Sequence, residues 1–202
     1  MINKNIKIGI IGAGYMAEEY LKVLSKKKVG CEAIYSRTLS KCEQLRKKYK
    51  IKKVYKDFNE LKNLQALIIA INDTSTLSIL KKLDLSKYKI LCEKPVGVSF
   101  NETEKVFSII KKNKSKFFVG LNRRFYNSTI KATNLVKKGF GKRIIHIQDQ
   151  QMQNTNKPFV NKNIMYCNSV HLIDYVRIFA RGELVKLSKI KNFKNNTFSQ
   201  NI

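Results

Sequence analysis

The sequence of 202 residues contains no tryptophan, two prolines, two histidines and four cysteines. Cys31, Cys42, Cys92 and Cys167 form no C-x-x-C pair, and three of them sit in apolar stretches. There a free thiol behaves as a small hydrophobe, so a reduced cytoplasmic protein is expected, with no metal site. No apolar run approaches the roughly 20 residues of a membrane span, because Lys or Asn interrupts each one. The first residues lack a cleavage pattern, so no secretory leader is expected. Internal repeats and a clear linker are also missing.

Acidic residues are scarce, 14 against 41 Lys and Arg, for a formal net charge of +27. Such a charge invites a nucleic-acid reading. The positive residues are overwhelmingly Lys, accompanied by abundant Asn and Ile, which marks an A/T-rich coding sequence. They are scattered over every predicted helix rather than gathered in one stripe with aromatics. Weak, salt-dependent sticking to polyanions is expected, but no dedicated nucleic-acid partner. The same field steers phosphorylated or nucleotide-linked molecules inward.

The stretch Ile6 to Ala17 reads as a buried strand, a glycine turn and the start of a helix. Gly12, Gly14 and Ala17 make G-x-G-x-x-A, the dinucleotide-binding fingerprint. Gly12 permits the tight turn, Gly14 keeps side chains away from a pyrophosphate, and Ala17 lets helix and strand approach. Met16, Ala17, Tyr20, Leu21 and Leu24 then repeat at helical spacing. The N-terminus of such a helix carries about +0.5 of a charge and suits a phosphate. Cofactor contacts are therefore expected at Gly12, Gly14, Tyr15, Met16 and Ala17. The alternative is a tight strand–helix turn in another α/β domain.

Strands are predicted at 31–35, 54–55, 66–71, 89–92 and 117–120, alternating with helices at 41–49, around Phe58, Leu61 and Leu64, after Asn72-Asp73-Thr74 to about Leu83, and at 100–112. Ser99-Phe100-Asn101-Glu102 has the S-x-x-E spacing of a capping box. Six strands in this alternation make a doubly wound α/β domain over residues 1–120. The second strand ends in Ser36-Arg37, where an acidic residue would bind both ribose hydroxyls of NAD. A hydroxyl and a guanidinium suit a 2′-phosphate instead, so NADP is preferred over NAD. If Arg37 merely stacks on the adenine, either cofactor remains open. Ala70, Ile71 and Asn72 end the fourth strand and should line the cofactor cleft.

Beyond residue 121 the pattern changes. A helix at 127–138 stops at Gly139, and a strand follows at 143–152. A polar loop at 154–163, a helix at 167–179, a strand at 184–190 and a frayed tail from Asn192 complete the reading. Residues 121–202 are thus expected to be a partial α+β domain for substrate and oligomer contacts.

Four pieces together resemble the Gfo/Idh/MocA oxidoreductases. They are Gly12 to Ala17, Cys92-Glu93-Lys94-Pro95, Gly120-Leu121-Asn122-Arg123-Arg124-Phe125 and His171-Leu172-Ile173-Asp174. The resemblance implies a Rossmann domain followed by an open mixed sheet whose face covers the nicotinamide. It also implies hydride transfer between a nicotinamide cofactor and a hydroxyl or carbonyl of a sugar, nucleotide-sugar or cyclitol, usually in a homo-oligomer. A non-catalytic nucleotide-binding remnant is the alternative.

By this resemblance Lys94 and His171 are the catalytic pair. Lys94 holds the substrate hydroxyl and lowers its pKa, and His171 exchanges the hydroxyl proton. Glu93, Lys94 and Pro95 also count as cofactor contacts, with Glu93 supporting the turn or pairing with a cation. Lys94, Arg123, Asn168 and His171 are the substrate contacts, although Arg123 fits a structural ion pair as well.

Three departures stand out. Many family members carry an aspartate four residues before the histidine, where this chain has Cys167. Ala70-Ile71-Asn72 and Thr76 stand where the family often has A-T-P and a histidine. The chain also stops after about two strands of the second sheet, so that sheet is expected to be completed by another chain or to be truncated.

Overall fold

The computed structural model describes residues 6–71, 75–114, 116–138, 144–148, 163–181 and 185–186. Six short strands form one parallel sheet: β1 (Ile8–Ile11), β2 (Cys31–Tyr35), β3 (Lys53–Tyr55), β4 (Ala66–Ile69), β5 (Lys89–Cys92) and β6 (Lys116–Val119). Their spatial order is β3-β2-β1-β4-β5-β6, that of a dinucleotide-binding Rossmann sheet. β1 pairs with β2 on one side and with β4 on the other. The chain therefore reverses direction between β1 and β4, which opens a crevice at their carboxyl ends.

The helices are α1 (Tyr15–Lys26), α2 (Leu39–Tyr49), α3 (Thr76–Leu80), α4 (Phe100–Lys112), α5 (Asn127–Lys138) and α6 (Val170–Ala180). Successive strand residues feed opposite faces of the sheet, as the pleat requires. Ile10, Ile34 and Ile68 pack with Ala17 and Leu21 of α1 and Cys42 and Leu45 of α2. Ile11, Ala33, Leu67 and Ile69 pack with Leu80, Leu85 and Val106. Each fully buried aliphatic side chain contributes about 2 kcal/mol by leaving water. Burial also pushes the thiols of Cys31 and Cys92 up to about 12.

Space excludes a side chain at Gly12 and crowds one at Gly9. At Gly12, φ is +116°, and an added Cβ would lie 2.0 Å from the carbonyl oxygen of Ala70. At Gly9 it would lie 2.3 Å from Cδ1 of Leu64. The Ser99 hydroxyl caps α4 by accepting from the Glu102 N–H at 3.2 Å. The Glu102 carboxylate accepts from the Val98 N–H at 2.9 Å, so it reaches one residue further back than a capping box requires.

The chain divides into two compact units. One holds Met1–Asn122 with Gln151–His171, the other Arg123–Gln150 with Leu172–Ile202. In the second unit the Arg124 guanidinium forks onto both oxygens of the buried Asp174 carboxylate, with Nε to Oδ2 at 2.6 Å. The pair holds the Arg124 guanidinium even above its ordinary range. The Tyr175 hydroxyl donates to the Arg123 carbonyl at 3.4 Å and accepts from Thr129 at 3.3 Å.

Helix α6 begins three residues later than the predicted 167, because a π-helical turn occupies Met165–Ser169. Of the strand predicted at 143–152, the described residues 144–148 belong to no sheet. Gly139, the loop at 154–162, most of the strand at 184–190 and the tail from Asn192 lie outside the described residues.

Candidate functional site

The carboxyl ends of β1, β2 and β4 enclose a cleft of about 400 Å³. Gly12, Ala13 and Gly14 form its floor, Ser36 and Arg37 one wall, and Ala70 and Ile71 the other. An added Cβ on Gly14 meets nothing within 4 Å, so this backbone borders open space. Gly14 is also the N-cap of α1 and makes no side-chain capping bond. The first-turn amides of α1 are thus left to a ligand, as a phosphate-binding turn requires. Arg37, Lys41 and Lys82 line the cleft, and none of its described lining residues is acidic. A dinucleotide's phosphates fit this cationic, uncapped surface.

Lys41 and Lys82 were not identified from the sequence. Lys41 stands four residues after Arg37, so its nearness was readable from the start of α2. Lys82 lies 45 residues away and left no such signal. Its ammonium sits 5.8 Å from the ring centre of Phe58, which in turn packs on Tyr35 at 4.5 Å.

Not every residue of the fingerprint reaches the cleft lining. Tyr15 is exposed, Met16 packs partly against the core, and Ala17 is fully buried on the inner face of α1. Asn72 lies outside the described residues.

A second group of residues gathers past the end of β5. The Glu93 N–H donates to the Ile69 carbonyl at 2.8 Å, which extends the ladder to the turn. The Tyr20 hydroxyl of α1 donates to Glu93 Oε1 at 2.5 Å. Burial, and then the Glu93 carboxylate, raise the Tyr20 phenol well above its ordinary range. The Lys94 N–H donates to Glu93 Oε2 at 3.3 Å, and the Lys94–Pro95 peptide bond is cis. The Lys94 ammonium turns away from Glu93 and donates to the Cys167 carbonyl at 2.5 Å. That carbonyl belongs to the π-helical turn, a departure from α-helical bonding often found at functional sites.

The lysine of the E-K-P motif thus reaches the turn that precedes His171. His171 is buried, Asn168 half-buried in the π turn, and Arg123 half-buried. The ion pair with Asp174 belongs to Arg124, so the aspartate of H-x-x-D is engaged by the second arginine of G-x-N-R-R-F. Among the described residues no cluster of His, Cys, Asp and Glu has the makings of a metal site. Nor is any described helix long and apolar enough to cross a membrane.

Sheet order, glycine turn and uncapped helix define a dinucleotide-binding Rossmann protein. Residues 6–121 match the oxidoreductase family with the NAD-binding Rossmann fold, Gfo/Idh/MocA, and the chain belongs to that family. It is 27% identical over 142 residues to the uncharacterized oxidoreductase YrbE of Bacillus subtilis, covering 68% of this chain and 42% of the relative. Identity to inositol 2-dehydrogenase of Salmonella typhimurium is also 27%, covering 66% and 42%. The solved scyllo-inositol dehydrogenase of Lactobacillus casei superposes with a TM-score of 0.70 at 24% identity, covering 89% of this chain and 56% of that one. At that identity the likeness is one of fold. The chain spans about two fifths of the length of the curated relatives it matches.

Proposed function

We propose that this chain binds NADP in preference to NAD and serves hydride transfer at a hydroxyl-bearing carbon of a sugar or cyclitol. The observation that carries the reading is the hydrogen bond from Lys94 to the Cys167 carbonyl. It brings the E-K-P lysine to the π-helical turn that precedes His171 in the chain, which supports a reading in which the two act on one substrate. Similarity to inositol dehydrogenases supports a polyol as the substrate class.

When bound, the nicotinamide supplies the two-electron acceptor for the hydride. Lys94 donates a hydrogen bond to the reacting hydroxyl oxygen and makes its proton easier to lose. His171 takes that proton at a ring nitrogen, since imidazole exchanges protons near neutral pH. In reduction the same groups return it. Asn168 orients the remaining hydroxyls. Arg37, with Lys41 beside it, receives the 2′-phosphate, because a planar guanidinium matches phosphate oxygens two at a time.

Calorimetric titration with NADPH and then NADH tests the cofactor, since the chain has no tryptophan to report binding by fluorescence. NADPH is expected to bind tighter, and Arg37→Ala to weaken it about tenfold while sparing NADH. Equal affinities would overturn the NADP preference. A polyol panel follows, in which Lys94→Ala and His171→Ala should each lower turnover by about a hundredfold or more. Cofactor binding without turnover of any polyol would leave a non-catalytic nucleotide-binding protein.

A further inference from the structure

Tyr20 lies on α1, and no cofactor or substrate role accounts for its hydroxyl. Its bond to Glu93 links three elements of the fold. α1 supplies the phenol, the end of β5 supplies the carboxylate, and the end of β6 supplies Gly120. A methyl group at Gly120 would come within 3.1 Å of both Glu93 Oε1 and the Tyr20 oxygen. The Gly120 N–H also donates to the Cys92 carbonyl at 2.8 Å, so the backbone cannot easily back away. The glycine of the G-x-N-R-R-F motif thus makes room for the Tyr20–Glu93 bond.

The electrostatics explain what the bond accomplishes. Glu93 adjoins Lys94 in sequence, and a carboxylate with a free oxygen would be the natural counter-ion of that ammonium. Tyr20 takes Oε1 and the Lys94 N–H takes Oε2, so both oxygens are engaged. The ammonium is left to a neutral carbonyl, that of Cys167. Among the described residues no carboxylate pairs with this ammonium, which leaves it available to a ligand oxygen.

Resting on the proposed catalytic role of Lys94, we propose that Tyr20 is a positioning residue. Through Glu93 it holds the Lys94 ammonium on the Cys167 carbonyl, away from the adjacent carboxylate. It also ties the helix that addresses the cofactor phosphates to the turn that bears the lysine.

The test is competitive labelling of lysines with trace acetic anhydride, read peptide by peptide by mass spectrometry, with exposed Lys26 as the internal reference. In the wild-type chain Lys94 should react at least about tenfold more slowly than Lys26, because its ammonium is half-buried and hydrogen-bonded. Tyr20→Phe removes one oxygen atom and keeps the ring, and should change the Lys94 rate by about threefold or more. Glu93→Gln should do the same. Because both act through one bond, the double variant should change the rate no more than the larger single change.

Val106→Ala removes core volume and leaves both groups of the Tyr20–Glu93 bond in place, and should leave the Lys94 rate within about threefold of wild type. The proposal is overturned if wild-type Lys94 reacts as fast as Lys26, or if Tyr20→Phe changes its rate less than threefold. It is equally overturned if the two single changes multiply in the double variant, or if Val106→Ala matches Tyr20→Phe. Labelling needs neither cofactor nor polyol. A chain that turns over no polyol but shows the expected labelling retains the Tyr20 role and loses only the proposed reaction.

Discussion

Helices α1 and α4 start from the carboxyl ends of parallel strands, yet their first turns are finished in opposite ways. α4 is closed by its own sequence: the Ser99 hydroxyl takes the Glu102 N–H, and the Glu102 carboxylate takes the Val98 N–H. α1 is left open by Gly14, which has no side chain to cap it and faces empty space. An N-cap hydroxyl is worth about 1 kcal/mol against alanine but only a few tenths against glycine, so leaving one out at α1 forgoes little stability. On the proposed reading, the difference separates the helix that addresses a ligand from the one that only supports the sheet.

The largest expected effect comes from the turn that leads into α1. Gly12→Ala drives a methyl group against the Ala70 carbonyl at a φ that L-residues avoid. It should destabilise the chain by about 3 kcal/mol or more, a loss of roughly 10 °C in melting temperature followed by circular dichroism. Gly14→Ser should separate stability from binding. The backbone there has φ of −92° and open space beyond, so the serine fits and adds a cap. Melting temperature should hold or rise slightly, while NADPH binding weakens by about tenfold or more. A serine that leaves binding intact would show that the open first turn of α1 is not the phosphate site. Ser99→Ala should do the reverse at α4. It should cost about 1 kcal/mol, near 4 °C, and leave NADPH affinity within roughly twofold.

A pH effect checks that the two helices differ in their caps and not in what lies beneath. Cys31 sits in the core on the α1 side and Cys92 in the core on the α4 side. Burial pushes both thiols up to about 12, above an unfolded value near 8.5. Their contribution is whole below the unfolded value and fades as pH rises toward 12, because the unfolded chain loses its protons first. The melting temperature should therefore decline between about pH 8.5 and 11, and Cys31→Ala and Cys92→Ala should each flatten that slope alike. A slope changed by only one of them would show unequal drying of the two faces.

Much of the Rossmann sheet was legible in the sequence. The strands at Cys31–Tyr35 and Lys89–Cys92 fall at their predicted residues, and the parallel order follows from strand–helix alternation. Local signals were enough there: continuous apolar runs, helical spacing and glycine turns. The candidate site was less legible. The G-x-G-x-x-A spacing pointed to Met16 and Ala17 as cofactor contacts, but the helical turn carries Ala17 inward to the core. Arg123 drew attention as a polar contact, whereas Arg124 holds Asp174. Adjacent residues on a tight turn point in different directions, and composition cannot choose between two arginines.

By itself, the sequence determined the sheet, the open first turn of α1 and the family. These depend on the period of apolar residues and on the spacing of small ones, both local properties of the chain. Only the tertiary structure decided that Lys82 shares a cleft with Arg37, that Tyr20 closes on Glu93, and that Lys94 meets the carbonyl of Cys167. Those meetings join residues as many as 73 positions apart. No periodicity links such residues, and packing of the sheet and its helices brings them within reach.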